Sequence, residues 1–174
     1  MRRIALSFAL LAAVSLVAVT GAGAAMSPSY QVSGFGFGAQ QTSFFGTGLG
    51  SAGDRGMFQA SVAHDAWTSC ATVGSSCAVT GGTFSVRTAQ GQESATFGGG
   101  SFQLASAAPG CGAQSFAVNA TLAGAAGPLV FTGTMSTFRF QFRSQCQTLF
   151  STLQGSLAPA PAPPTDQPPA DPGL

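Results

Sequence analysis

Apolar side chains alternate with polar or small ones along most of the middle of this chain. The run from Ser115 to Leu122 is the clearest case, because all its even positions are apolar. Successive side chains of a β-strand point to opposite faces, so a period of two predicts a strand with one buried face. The same period recurs in segments 30–38, 58–64, 83–87, 102–104, 138–143 and 149–157.

Turn signals rich in glycine or containing proline separate these segments. They lie at 46–56, 74–76, 90–92, 98–100, 109–110 and 124–128. A spacing of about 8–14 residues with no helical pattern between them predicts an antiparallel meander. Strand edges must be hidden, and consecutive strands look hairpin-connected, so we predict an all-β meander closing into a small β-barrel. A two-sheet β-sandwich is the alternative.

The first 25 residues have the composition of a signal peptide. Arg2 and Arg3 precede an uncharged apolar run, and the small residues Ala22-Gly23-Ala24 form a cleavage motif. We therefore expect export and a secreted or extracytoplasmic protein. The apolar run is shorter than the roughly 20 residues that a spanning helix needs, so no membrane span is expected after cleavage. Arginine without lysine, together with much alanine, glycine and proline, suggests a bacterial chain.

The other end is rich in proline. Residues 158–174 contain seven of the ten prolines. Proline has no backbone donor and a fixed φ, so we expect a disordered tail that serves as a spacer or contacts a partner. The folded domain is then predicted to span residues 26–157.

Charge is sparse between residues 26 and 157. The charged side chains there are Arg55, Arg87, Arg139, Arg143, Asp54, Asp65 and Glu93. A nucleic-acid partner is not expected, because binding needs several clustered cations to displace phosphate counterions.

Phenylalanine dominates the aromatic residues, with 15 copies against one tyrosine and one tryptophan. Phenylalanine offers only apolar area, so an excess beyond the needs of a core predicts an interior cavity for a small apolar ligand. The candidate lining residues are Phe84, Phe102, Phe116, Phe138, Phe140 and Phe142. The alternative is a structural or interaction protein of the cell envelope, in which these rings are pure core; self-association is also open.

Four cysteines in an exported chain predict two disulfides. Cys70 and Cys77 flank a turn-like Gly-Ser-Ser sequence, so we predict the pairs Cys70–Cys77 and Cys111–Cys146. A zinc site is not expected because the cysteine spacing does not fit one and the chain has a single histidine.

The segment His64-Asp65-Ala66-Trp67 contains the only histidine and the only tryptophan. Histidine polarised by aspartate can act as a general base. Adjacent residues on a strand point to opposite faces, however, so we expect Asp65 to cap a turn and Trp67 to pack in the core. We predict a non-enzymatic protein without a cofactor, and an enzyme centred on His64 and Asp65 as the alternative.

Overall fold

A computed structural model describes residues 29–37, 42–89 and 91–162. Eight β-strands and one short 3₁₀-helix, Trp67–Cys70, form this part of the chain. The strands are β1 Tyr30–Phe37, β2 Ser43–Gly50, β3 Arg55–His64, β4 Ser76–Thr88, β5 Gly91–Ala107, β6 Gln114–Gly124, β7 Gly127–Phe142 and β8 Gln145–Pro159. The predicted signal peptide and the end of the tail, residues 163–174, lie outside the described residues.

The eight strands form one closed antiparallel barrel in chain order. The closing pair is β1 with β8, whose register runs from Tyr30 opposite Leu157 to Phe37 opposite Phe150. The barrel prediction is thus confirmed, and the sandwich alternative is wrong. Because β1 and β8 pair with each other, the barrel has no open sheet edge for strand-to-strand association.

The core is the interior of the barrel. Inward rows of Phe, Val, Leu and Ala from all eight strands are buried, and outward positions of the same strands are mostly exposed. The most deeply buried large side chains include Phe44, Phe58, Leu104, Met135 and Leu157. Burial of apolar surface, at about 25 cal/mol per Å², is the main stabilising contribution of this arrangement.

Inward glycines make room for the larger rings. An added Cβ at Gly34 would lie 2.7 Å from the ring of Phe58, and one at Gly155 would lie 2.5 Å from the ring of Phe131. A small barrel is filled by pairing large with small inward residues, and these contacts follow that rule. The glycines on the inner face therefore have a packing role.

Two of the predicted turns differ from the structure: one is part of a strand, and the other is shorter than predicted. Residues 98–100 lie inside β5, where the pairing with β6 shifts register between Phe97 and Gly99. A β-bulge, which glycine accommodates easily, replaces the expected reversal. Likewise the turn predicted at 46–56 is confined to residues 51–54, and the flanking glycines belong to β2 and β3.

β8 ends two residues beyond the predicted domain boundary. Pro159 pairs with Leu129, and the backbone N–H of Ala160 still donates to the carbonyl of Pro128. Proline is tolerated at this position because β8 no longer pairs with β1 beyond Leu157, so the missing N–H points to the unpaired side of the strand. The folded domain thus includes Ala158 and Pro159, which the sequence assigned to the tail.

Candidate functional site

The barrel interior is almost completely filled. Its cavity measures about 20 Å³ and is lined entirely by apolar side chains, Phe84 and Phe102 among them. Pockets for small molecules usually measure about 300–1,000 Å³, so a ligand here would require the rings to move apart. Phe84, Phe102 and Phe116 do face inward, and each is buried.

The other three candidate phenylalanines are on the outside. Phe138, Phe140 and Phe142 are 41–47% exposed. β7 is an unbroken strand whose inward positions include Phe131, so its even-numbered residues must face outward. The structure therefore removes these three from the interior that the sequence predicted for them.

These residues belong to an aromatic patch on the outer face of four adjacent strands, β2, β1, β8 and β7. Cross-strand register makes the patch continuous, because Phe45 pairs with Phe35, Phe37 with Phe150, and Phe150 with Phe138. We define the aromatic patch as Phe35, Phe37, Phe45, Phe138, Phe140, Phe142, Leu149 and Phe150.

The rings of the patch pack against one another at the surface. Phe35 and Phe45 meet edge-to-face at 4.4 Å between ring centroids, Phe35 and Phe37 at 5.3 Å, and Phe138 stacks on Phe150 at 4.5 Å. Such pairs contribute about 0.5–1.5 kcal/mol each beyond area burial. The patch is therefore ordered by its own contacts before any partner binds.

The patch is large and carries little charge. The exposed fractions of its side chains reach 65% at Phe37, and with roughly 200 Å² per phenylalanine side chain they give an apolar area of about 600 Å². That is the upper limit for the largest patch on an ordinary monomer. One cation lies at its edge, where the guanidinium of Arg143 sits 5.3 Å from the ring centre of Phe142.

The barrel end next to the patch is covered by two loops, each held by a disulfide. The bonds are Cys70–Cys77 and Cys111–Cys146, the pairs that the sequence predicts. The first loop places Trp67 over the barrel mouth, where its ring lies 5.5 Å from Phe116 and 5.8 Å from Phe102. The tryptophan thus closes part of the interior from above.

A second cavity, which we call the mouth cavity, lies between these loops. It measures about 560 Å³ and is lined by Trp67, Cys70, Ala71, Gln114, Phe116, Arg139, Cys146, Gln147 and Thr148. The Nε and Nη2 atoms of Arg139 donate to the carbonyl oxygens of Gly112 and Gly110, each at 3.2 Å. The guanidinium is therefore held in one orientation by the loop that carries Cys111.

His64 and Asp65 lie at the end of β3, on the other side of the mouth. The Nδ1 atom of His64 is 2.5 Å from the backbone carbonyl oxygen of Asp65, an acceptor that does not titrate. The Asp65 backbone N–H donates to the carbonyl of Ala78, and its carboxylate accepts from the Ala78 N–H at 3.3 Å. Asp65 thus caps the entry to β4, and the His64 ring packs 4.2 Å from that of Trp67.

The opposite end of the barrel has tight turns and one residue, Tyr30, whose pKa is shifted. Burial raises the pKa of Tyr30 above its ordinary value of 10.0, and the negative charges of Glu93 and Asp54 raise it further. All three residues line a cavity of about 320 Å³. The charged side chains that line it, Asp54 and Glu93, are acidic, whereas the mouth cavity at the other end holds a cation.

Sequence reasoning missed Arg139 and the outward position of the patch. The inward position of Arg139 and the outward positions of Phe138, Phe140 and Phe142 follow from the alternation of side chains along β7. Continuing the alternation of Leu129, Phe131 and Met135 through residue 142 would have found them. Among residues 29–37, 42–89 and 91–162, no cluster of three His, Cys, Asp or Glu side chains could hold a metal ion. No helix in the same ranges has the length and apolar character to span a membrane.

Comparison with protein-family models, with curated proteins and with solved structures found no match to this chain.

Proposed function

We propose that this chain is an interaction domain of the bacterial cell envelope, exported from the cytoplasm, and that the aromatic patch is its contact surface. The observation that carries this proposal is that the patch lies outside a core that is already complete. The interior has almost no free volume, so the outer phenylalanines are not needed to fill it. Two disulfides support an oxidising location.

We propose further that the partner is a second copy of the chain. A standard interface buries about 800 Å² on each side, and an apolar centre of about 600 Å² with a polar rim approaches that area. Removal of Arg2 and Arg3 with the signal peptide changes the net charge from +1 to −1, which offers little repulsion between copies. Closure of the barrel prevents association through strand edges, so the patch is the surface left for it.

Sedimentation equilibrium over a wide concentration range tests this proposal on the mature protein. We expect a monomer–dimer equilibrium that the double substitution Phe37→Ser and Phe138→Ser shifts to monomer. Met57→Ser is the matched control, because Met57 is 69% exposed but lies on β3, outside the patch. It should leave the dimer unchanged.

Two outcomes would overturn the proposal of a dimer through the patch. A wild-type protein that stays monomeric at every concentration excludes a second copy as the partner. If that monomer floats with anionic phospholipid vesicles and the Phe37→Ser/Phe138→Ser variant does not, the patch binds a lipid surface instead. Equal effects of Met57→Ser and of the patch substitutions would remove the patch from the contact altogether.

A further inference from the structure

The mouth cavity interrupts the apolar interior with a layer of polar side chains. Inward positions along most of each strand are apolar, but Gln114, Thr137, Arg139, Thr148 and Ser151 gather on β6, β7 and β8 next to the mouth. Pockets for small molecules combine an apolar wall with a few convergent polar groups. The volume of about 560 Å³ lies within their usual range.

Among the residues that the structure describes, Arg139 is the only charged side chain that lines this cavity. Within the described part of the chain, its hydrogen bonds go to two backbone carbonyls, and the cavity lining contains no carboxylate. The guanidinium has five N–H donors, and its planar fork suits a carboxylate. The cavity therefore presents an oriented positive charge without an acidic counter-charge.

Two buried hydroxyl groups lie directly beside this layer. The Oγ1 atom of Thr137 and the Oγ atom of Ser151 are buried and have no hydrogen-bond partner among the described residues. Thr137 pairs with Ser151 on β8 and with Gln114, a cavity-lining residue, on β6. A buried polar group without a partner is uncommon and is most often satisfied by an ordered water, and neither hydroxyl is part of the cavity lining itself.

Part of the remaining wall of the cavity is aromatic. Trp67 and Phe116 lie 5.5 Å apart between ring centroids and both face the cavity. Aromatic rings favour edge or face contacts with another ring or with an aliphatic chain. The cavity thus offers an apolar surface and a cation at the same time.

We infer that the mouth cavity binds a small organic carboxylate with an aromatic or aliphatic body. The carboxylate pairs with Arg139, and the body packs against the rings of Trp67 and Phe116. This site is separate from the aromatic patch and does not depend on the proposed dimer.

The single tryptophan of the chain lines the cavity and reports on binding. We would titrate the oxidised protein with 3-phenylpropionate and with its uncharged analogue 3-phenylpropionamide, following Trp67 fluorescence and heat by calorimetry. The expected result is saturable binding of the carboxylate at least tenfold tighter than that of the amide. The absence of saturable binding by the carboxylate, or equal affinity for both probes, would overturn the inference.

Substitutions of Arg139 and Arg143 test whether the carboxylate binds in the mouth cavity. Arg139→Gln should weaken carboxylate binding at least tenfold, whereas Arg143→Gln, the same charge change at the β7–β8 turn, should leave it unchanged. If Arg139→Gln loses its near-ultraviolet circular dichroism, Arg139→Lys takes its place, because it keeps the positive charge but lacks the planar fork that pairs with a carboxylate, and it should also weaken binding. Equal losses in Arg143→Gln and the cavity variants would place any carboxylate binding outside the mouth cavity.

Discussion

The phenylalanines inside the barrel and those of the aromatic patch share the same chemistry and the same alternating sequence pattern. On β7, Phe131 faces inward and is 5% exposed, and Phe138 faces outward and is 41% exposed. The inner rings pack in a filled interior, close to inward glycines and to one another, while the outer rings contact one another at the surface. This difference shows that the face of the strand on which a phenylalanine lies, more than the residue type, decides whether it stabilises the fold or is available to a partner.

Replacing one inner and one outer phenylalanine with alanine should show most clearly which of the two groups stabilises the fold. Phe58→Ala removes a ring that is 2% exposed and stacked with Phe84 at 6.0 Å, and should lower the free energy of unfolding by about 3–5 kcal/mol. Phe37→Ala removes a ring that is 65% exposed and contacts the ring of Phe35, and should lower it by about 0.5–1.5 kcal/mol.

Urea denaturation of the oxidised proteins measures both values, at a protein concentration too low for association. A loss at Phe37 comparable to that at Phe58 would break the comparison, because the patch would then be part of the stabilising core.

A smaller effect tests how tightly the interior is filled. In Gly155→Ala, the new methyl group would lie 2.5 Å from the ring of Phe131 and from the carbonyl oxygen of Thr132. Overpacking of this kind costs about 1–3 kcal/mol.

Gly98→Ala is its control on β5. There the nearest atom to an added Cβ is the Thr121 hydroxyl oxygen at 3.7 Å, an ordinary contact. Thermal unfolding should show a clear loss at Gly155 and almost none at Gly98. Equal stability of the two variants would mean that the interior has room to adjust.

The smallest effect concerns Tyr30, a buried aromatic residue with an ionisable group. Because the folded state raises its pKa above the ordinary 10.0, the folded protein holds this proton at pH values where the unfolded chain has lost it. Stability is thus unaffected by this group below about pH 10 and falls as the pH rises further.

Tyr30→Phe should remove the loss of stability above about pH 10 that is due to the Tyr30 hydroxyl. Stability near neutral pH should stay almost unchanged. Denaturation curves at neutral pH and above pH 10 measure it. If wild type and variant decline in parallel, the hydroxyl is not what makes the fold sensitive to alkali.

Some of this architecture could be predicted from local sequence patterns. The run 115–122 alternates clearly and forms the centre of β6, and the turn between Cys70 and Cys77 places the two sulfurs close enough to bond. In contrast, residues 98–100 resemble a turn, yet they lie within β5 because a bulge absorbs the extra residue. Local composition does not distinguish a bulge from a reversal, since glycine serves both.

By itself, the sequence determined an all-β chain with a meander order and two disulfides, one of which, Cys70–Cys77, is short-range. It could do so because alternation and turn chemistry act over a few residues. Only the tertiary structure decided which face of β7 is inside, since this depends on a register carried through sixteen residues from Gly127 to Phe142. Closure of β1 on β8 then brought Phe37 beside Phe150 and assembled the patch from both ends of the chain. The mouth cavity likewise depends on closure, because Trp67, Gln114 and Arg139 come from distant segments that meet only when the barrel is complete.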